Sequence, residues 1–347
     1  MSGRCRGAGR YAVGMSEILG NEDVRERLLR LADRDELHHC LLFEGPAGLG
    51  KAAAARWLAS AVNCEAMLGG RPCGQCWSCK SIESDQHPDI IQVGFDPERT
   101  APIISVRQAR ELLTKLTLRP YRAKQRFVII DPADMMRAET ANALLKTFEE
   151  PPRDTGFILV CESALRLLPT VRSRSQRVRF RPVDAGALTR WLEEKGVEDA
   201  AWLARLSDGC PGRALELSQG EAAVWREQRD ALLDALRGSA TERFGYAEKL
   251  TQARKGRGEW TPRVITTLDA LERLSRDALR CHAGVSEETW YNTDCPEVVA
   301  EWARRLQVAG CLRVADAVDK ARKDMAAFVN GRLLVDALLA RVSAELG

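Results

Sequence analysis

The sequence predicts a parallel α/β core built around a phosphate-binding loop and carrying a cysteine-rich module, followed by a small helical domain and a larger all-α domain. Three observations lead to this fold class. Short apolar runs typical of strands alternate with helical segments up to residue 182, which indicates a doubly wound parallel sheet. A glycine-rich turn directly follows the first of these strands. Beyond residue 182 nearly every pattern is helical.

The elements follow from the spacing of apolar residues. A helical pattern at 18–31 precedes the first strand at 40–43. Later strands are predicted at 89–93, 126–130 and 156–161, and helices at 52–62, 106–118 and 139–150. The predicted domains are a nucleotide-binding-like domain at 15–182 with a cysteine module at 64–79, a small helical domain at 183–220 interrupted at 209–212, and a larger helical domain at 221–347.

Length and composition describe an ordinary multidomain protein. The chain has 347 residues, 45% of them hydrophobic and 29% charged, which suggests two or three domains. A net charge of +3 is too small to demand or exclude nucleic acid as a ligand. No apolar run approaches the roughly 18–20 residues of a membrane span, and no signal peptide is visible, so we expect a cytoplasmic protein without membrane association.

The first 14 residues contain three arginines and four glycines and show no periodicity. We expect a disordered leader there. A transit peptide and a misplaced start codon remain open alternatives.

The turn at 45–51 fits the G-x4-G-K pattern between a predicted strand and a predicted helix. Gly45, Gly48 and Gly50 would let backbone N–H groups close around phosphate oxygens, and Lys51 would reach the terminal phosphates. The next position usually carries a Ser or Thr hydroxyl that binds Mg²⁺, but here it is Ala52. These residues predict a site for ATP or ADP with weakened metal binding.

The strand at 126–130 ends at Asp131, the expected position of a carboxylate that helps to hold magnesium in such sites. The following position often carries a general base, but Pro132 cannot polarise a water molecule. Asp134 could be a substitute, although we interpret it as a helix cap. Hydrolysis of ATP by this site is therefore not expected.

Four cysteines, Cys64, Cys73, Cys76 and Cys79, form the pattern C-x8-C-x2-C-x2-C. The two close spacings let backbone turns present thiolates to one tetrahedral zinc ion, and glycines and a proline between them supply the turns. Four sulfurs leave no open coordination position, so the predicted zinc is structural. His87 is better interpreted as a loop residue than as a ligand.

Residues 141–152, which read ANALLKTFEEPP, resemble the A-N-A-L-L-K-x-L-E-E-P-P segment of bacterial clamp-loader AAA+ subunits. Ser173, Arg174 and Ser175 resemble the S-R-C motif of the same family, with Ser175 in place of the cysteine. The cysteine spacing also occurs in these subunits. The likeness extends from about residue 18 to residue 220 and is weaker in the helical remainder.

This resemblance implies an AAA+ core, a small helical lid and a C-terminal helical collar that builds a hetero-oligomeric ring. It also implies that Arg174 reaches into the ATP site of a neighbouring subunit, where a planar and always charged guanidinium stabilises phosphate charge during hydrolysis. Composition alone would favour a surface arginine at this position. Gly212 and Arg213 resemble the family's sensor 2 region, which adds Arg213 to the nucleotide-site candidates.

The implied partners are the gamma/tau and delta subunits of the clamp loader and, through the complex, the sliding clamp and primed DNA. The gamma/tau pattern has G-K-T and D-E where this sequence has Ala52 and Pro132, so a non-catalytic stator is expected. An active gamma/tau-like ATPase is the alternative. An independent nucleotide-binding enzyme, such as a small-molecule kinase, is a second alternative from outside the family.

Overall fold

The computed structural model describes residues 18–67, 71–97, 103–252, 261–326 and 330–347. The predicted leader at 1–14 lies outside the described residues, as do Gly69 and Gly70 of the cysteine module. The chain divides into two compact units between Glu216 and Leu217. The first unit contains both the sheet and the helices that follow residue 182, so a separate domain at 183–220 stays a prediction.

A parallel sheet forms the centre of the first unit. Its strands are β1 (Cys40–Glu44), β2 (Ile90–Val93), β3 (Arg126–Ile130), β4 (Thr155–Cys161) and β5 (Gln176–Arg179). They lie in the order β2-β3-β4-β1-β5, and all neighbouring pairs are parallel. The four strands predicted from the sequence are confirmed with their ends shifted by no more than one residue.

Helices cover both faces of this sheet. They are α1 (Glu22–Asp33), α2 (Lys51–Asn63), α3 (Trp77–Glu83), α4 (Val106–Leu116), α5 (Ala138–Glu149) and α6 (Pro169–Arg172). Successive side chains of a strand point to opposite faces, so Leu41 and Phe43 of β1 join the apolar cluster that includes α2. Cys40 and Leu42 join the cluster that includes α4 and α5. The predicted doubly wound core is confirmed.

Three elements of the core, β5, α3 and the short α6, were missing from the sequence prediction. Strand β5 has Val178 as its single apolar residue, and its other three side chains are exposed, because β5 is an edge strand with only β1 beside it. An apolar run therefore could not reveal it. Helix α3 begins inside the cysteine module, where the spacing of the cysteines obscures the helical pattern of apolar residues.

Three short helices complete the first unit: α7 (Ala185–Glu194), α8 (Ala200–Leu206) and α9 (Pro211–Glu216). The predicted interruption at 209–212 is wrong in part, because α9 already begins at Pro211 and contains Gly212. Proline is favoured at the start of a helix, since its missing N–H would have no helical partner there.

The second unit is helical, as predicted. After an irregular turn at Leu217–Glu221 come α10 (Ala222–Arg237), α11 (Ala240–Thr251), α12 (Thr261–His282), α13 (Pro296–Ala326) and α14 (Gly331–Leu346). The unit has its own apolar core, which includes the buried Leu271, Val299 and Val335. None of the helices within the described ranges is long and apolar enough to cross a membrane.

Candidate functional site

The glycine-rich turn connects β1 to α2 at the carboxyl edge of the sheet. Gly48 and Gly50 have φ values of 80° and 75°, which non-glycine residues rarely adopt. A Cβ on Gly45 would lie 2.7 Å from the carbonyl oxygen of Phe180. These three glycines are therefore required by the shape of the loop, as the motif predicts.

Lys51 folds back onto this loop. Its Nζ donates hydrogen bonds to the carbonyl oxygens of Gly45 and Pro46, both at 2.6 Å, and the residue is 6% exposed. Burial lowers the pKa of Lys51, and the nearby Asp131 carboxylate opposes this effect. The ammonium group is thus already placed inside the loop that would hold phosphates.

Asp131 follows the last residue of β3 and lies close enough to Lys51 for their charges to interact. Burial raises the pKa of Asp131 above its ordinary value, and the charge of Lys51 opposes this effect only in part. The next residue is Pro132, and Ala52 contributes no side-chain oxygen at the start of α2. The site therefore has a lysine and one carboxylate but lacks a hydroxyl ligand and an adjacent general base.

The interpretation of Asp134 as a helix cap is wrong. Asp134 lies inside the short 3-10 helix Ala133–Met135, whose cap position is Pro132. Its side chain is 1% exposed and lies 3.6 Å from the guanidinium of Arg166, and its Oδ2 accepts the N–H of Glu162 at 3.4 Å. These contacts tie the end of β3 to the end of β4, which explains the burial of the carboxylate.

Helix α9 closes over the phosphate loop. The N–H of Gly212 donates to the carbonyl oxygen of Gly48 at 2.8 Å, and a Cβ on Gly48 would lie 2.8 Å from the backbone nitrogen of Arg213. Such a close approach is possible only with glycine in the loop. The structure therefore brings together the predicted nucleotide-site residues Gly45, Gly48, Gly50, Lys51, Asp131 and Arg213.

Arg174 lies elsewhere, on the turn between α6 and β5, where it is half-buried. Its Nε donates to Oε2 of Glu149 at 3.0 Å, and its Nη1 donates to the carbonyl oxygen of Thr170 at 3.2 Å. The sequence pattern does not reveal Glu149 as the partner of Arg174, because two residues 25 positions apart give no periodic signal. The one sequence feature that drew attention to Glu149 was its position in the segment at 141–152.

Arg174 and the phosphate loop lie at opposite ends of the parallel strands. Gln176, the first residue of β5, pairs with Leu41 near the start of β1, whereas the loop begins after Glu44 at the end of β1. The five residues of β1 span roughly 15 Å. This distance is longer than an arginine side chain, so Arg174 cannot reach phosphates held in the loop of its own chain.

The four predicted ligand cysteines come together. Their sulfur atoms all lie within 4.8 Å of one another, which suits a tetrahedral ion with Zn–S bonds of about 2.3 Å. Cys64 follows α2, while Cys76 and Cys79 lie at the N-terminal end of α3. The cluster could bind a metal ion, and no other group of this kind occurs among the residues that the structure describes.

Backbone N–H groups surround these sulfurs. The N–H groups of Cys76 and Gln75 donate to Sγ of Cys73 at 3.3 and 3.4 Å and lower the pKa of this thiol to about 6. The backbone N–H of Cys79 donates in the same way to Sγ of Cys76 at 3.4 Å. Since a metal binds the thiolate form, these N–H groups favour coordination by Cys73, whereas burial and the neighbouring cysteines raise the pKa of Cys79.

His87 is not part of the cluster, as predicted. Its Nδ1 accepts a hydrogen bond from the backbone N–H of Asp89 at 3.1 Å. Its ring lies 5.0 Å from that of Trp77 on α3. Arg122 stacks on the same indole at 4.5 Å. His87 and Arg122 thus fix the cysteine module against the strands.

Family models match both parts of this chain. Residues 20–184 match the model described as DNA polymerase III, delta subunit, and residues 225–344 match its C-terminal counterpart. The chain is 32% identical over 322 residues to DNA polymerase III subunit delta' of Escherichia coli (strain K12), covering 91% of this chain and 92% of that protein. The chain belongs to the delta-prime family of DNA polymerase III subunits.

Other delta-prime and gamma/tau proteins are also similar. The delta-prime protein of Bacillus subtilis (strain 168) is 31% identical, covering 91% of this chain and 94% of its own. DNA polymerase III subunit gamma/tau of Mycobacterium tuberculosis (strain ATCC 25618 / H37Rv) is 30% identical, covering 95% of this chain but 61% of that protein. The two delta-prime relatives therefore match over nearly their whole lengths, and the gamma/tau protein over about three fifths.

Proposed function

We propose that this chain is the non-catalytic stator of a DNA polymerase III clamp loader and that it supplies Arg174 to the ATP site of a neighbouring subunit. It assembles with gamma/tau and delta in the cytoplasm and helps to load the sliding clamp onto primed DNA. Membership of the delta-prime family supports this assignment. The observation that carries the role of Arg174 is its position, at the opposite strand end from its own phosphate loop.

The chemistry of the two sites supports this division of labour. Ala52 and Pro132 remove a metal ligand and a general base from the chain's own loop. Arg174 keeps a permanently charged guanidinium on a partly exposed turn. A nucleotide would be bound at Lys51 without being hydrolysed. Arg174 would stabilise phosphate charge during hydrolysis at the ATP site of the neighbouring subunit.

The cysteine cluster fits a zinc ion, which Cys64, Cys73, Cys76 and Cys79 would hold. A closed set of four thiolates gives zinc no position for a substrate. Its role in this proposal is therefore structural: it fixes α3 and the end of α2, from which these ligands come.

Reconstitution of the loader with gamma/tau and delta tests the role of Arg174. The Arg174→Ala variant should assemble normally but lose hydrolysis at the adjacent site by at least about 1,000-fold, as removal of an arginine finger does. The steady-state ATPase rate of the whole loader should fall by the fraction that this one site contributes. The control Arg153→Ala, at a side chain that is 96% exposed, should leave hydrolysis unchanged. Unchanged ATPase in Arg174→Ala would refute the role in trans.

An active gamma/tau-like ATPase is the second candidate, favoured by the retained Lys51 and Asp131 and by the similarity to gamma/tau. It requires Mg²⁺-dependent ATP turnover by the isolated chain. Lack of turnover, together with restored activity when the chain is added to gamma/tau and delta, would exclude this candidate. Failure to associate with either subunit would instead favour an independent nucleotide-binding enzyme.

A further inference from the structure

A basic pocket of about 500 Å³ lies between α1 and the outer side of β5. Within the described ranges, its charged lining consists of Asp23 and four arginines, Arg27, Arg177, Arg179 and Arg181. Residues 45–51 and Arg213 do not contribute to it. This arginine pocket thus shares no lining residue with the phosphate loop or with Arg213.

The two arginines of β5, together with Arg181 just after it, follow the two-residue period of an extended strand. Arg177, Arg179 and Arg181 alternate with Val178 and Phe180, which are 2% and 4% exposed and pack in the core. Alternate side chains of a strand share one face. The apolar side chains thus anchor the strand and present a row of guanidinium groups at the edge of the sheet.

Only part of this positive charge is neutralised. Arg177 donates to Oε2 of Glu44 at 2.6 Å, and Arg179 lies 3.8 Å from the same oxygen. Arg27 and Arg181 form no ion pair with any residue that the structure describes. With Asp23 as the acidic residue of the lining, the pocket keeps an excess of positive charge.

We propose that the arginine pocket binds the phosphodiester backbone of single-stranded nucleic acid, a contact made by this chain alone and beyond its role in the ring. Guanidinium groups pair well with phosphate oxygens, and a row of them suits a linear polyanion. Among the residues that the structure describes, no aromatic ring lines the pocket, so bases would not stack there and binding would be independent of sequence. A volume of about 500 Å³ is enough to admit a short stretch of the backbone of a single strand.

An acidic peptide is a different ligand of the same charge. Peptide grooves usually add apolar pockets that anchor side chains, whereas here the apolar contribution from the described part of the chain is limited to Val24, Pro182 and Val183. Backbone binding of nucleic acid depends mainly on charge. The composition of the lining therefore favours nucleic acid.

Fluorescence anisotropy of the purified full chain with a labelled oligothymidylate of about 12 nucleotides tests this proposal. Combining Arg27→Ala with Arg181→Ala should weaken binding at least about 10-fold at about 50 mM NaCl and reduce the slope of log affinity against log salt by about 1.4. Replacing the same two residues by lysine should preserve most of the affinity, because the charge remains. The control pair Arg153→Ala and Arg190→Ala removes the same charge from two exposed residues of the same unit and should have little effect.

Equal losses in the test and control pairs, or no binding by the wild-type chain, would overturn the proposal. Binding of inorganic phosphate by calorimetry without binding of the oligonucleotide would assign the pocket to a free anion instead. Tighter binding of a polyglutamate peptide than of the oligonucleotide would also contradict it. All measurements use the isolated chain, so they do not depend on the role of Arg174 in a loader.

Discussion

Single residues decide what the nucleotide-like site can do. The loop keeps the backbone shape and the lysine of a phosphate site, with Lys51 Nζ bound to two loop carbonyls. The residue after it, Ala52, offers only a methyl group where an oxygen would bind magnesium. Nucleotide affinity and magnesium affinity, which are coupled in active sites, should therefore be uncoupled in this one.

Restoring the missing hydroxyl should restore that coupling. For the wild-type chain, Mg²⁺ should change ADP affinity by less than about 3-fold, whereas in Ala52→Thr it should increase affinity by about 10-fold, since the hydroxyl becomes a metal ligand. Isothermal titration with and without Mg²⁺ measures both values. Ala52→Val has the shape of threonine without its oxygen and should behave like wild type. A similar gain in Ala52→Val, or no ADP binding by the wild-type chain, would contradict the assignment.

At the scale of elements, the direction of the strands and the N-terminal end of α3 place the functional groups. Parallel strands put all their carboxyl ends at one edge, so the loop after β1 and Asp131 after β3 meet there. The turn before β5 lies at the other edge and carries Arg174. The two cysteines at the N-terminal end of α3 meet Cys64 and Cys73 through turns held by N–H···S contacts.

The cysteine module should contain about one zinc ion per chain after purification without chelators. Cys73→Ser should abolish the zinc and lower the melting temperature by at least about 5 °C, because metal binding contributes to folding. Elemental analysis and calorimetry measure the two effects. Cys281→Ser, outside the cluster, should retain the metal. A zinc-free wild-type protein would refute the assignment.

At the scale of the whole molecule, the chain consists of two units that each have an apolar core. Asp89 stabilises the first of them. Its carboxylate is 1% exposed and accepts the N–H groups of Tyr121, Arg122 and Ala123 at 2.8 to 3.0 Å. Arg126 lies 3.6 Å away. Asp89 thus joins the start of β2 to the turn that precedes β3.

Asp89→Asn should destabilise the first unit by about 3 kcal/mol at pH 7, because it removes the carboxylate that forms an ion pair with Arg126 and places amide hydrogens among N–H donors. Unfolding in urea, followed region by region by hydrogen exchange, should show this loss in β2 and β3 but not in α12 or α13. Proteins with separate units need not unfold in one step. Asp154→Asn is the control, since Asp154 is exposed and asparagine tolerates its φ of 58°.

The effect of this substitution should depend on pH. Burial would raise the pKa of Asp89, but the three N–H groups and Arg126 together lower it below its ordinary value of 3.8. The ionised carboxylate therefore stabilises the folded unit fully above pH 3.8 and progressively less as the pH falls towards the folded pKa. The difference between wild type and Asp89→Asn should persist at pH 5 and shrink below about pH 4. A constant difference down to pH 3 would contradict this explanation.

Much of this protein follows from local sequence. The phosphate loop, the four earlier strands, the helical second half and the four-cysteine cluster could all be predicted, because glycine turns, apolar period and ligand spacing act over a few residues. The resemblance of residues 141–152 and of Arg174 to clamp-loader motifs also predicted the family that the comparisons establish.

Tertiary structure decided the relations between distant residues. Local patterns could not reveal edge strand β5, the pairing of Arg174 with Glu149 or the row of arginines opposite Arg27, because each depends on which strands and helices become neighbours. The burial of Asp134, interpreted wrongly as a cap, arises in the same way from contact with the end of β4. The sequence by itself determined the chemical groups and their local shape, and the parallel order of the strands decided that Arg174 lies too far from its own loop to act there.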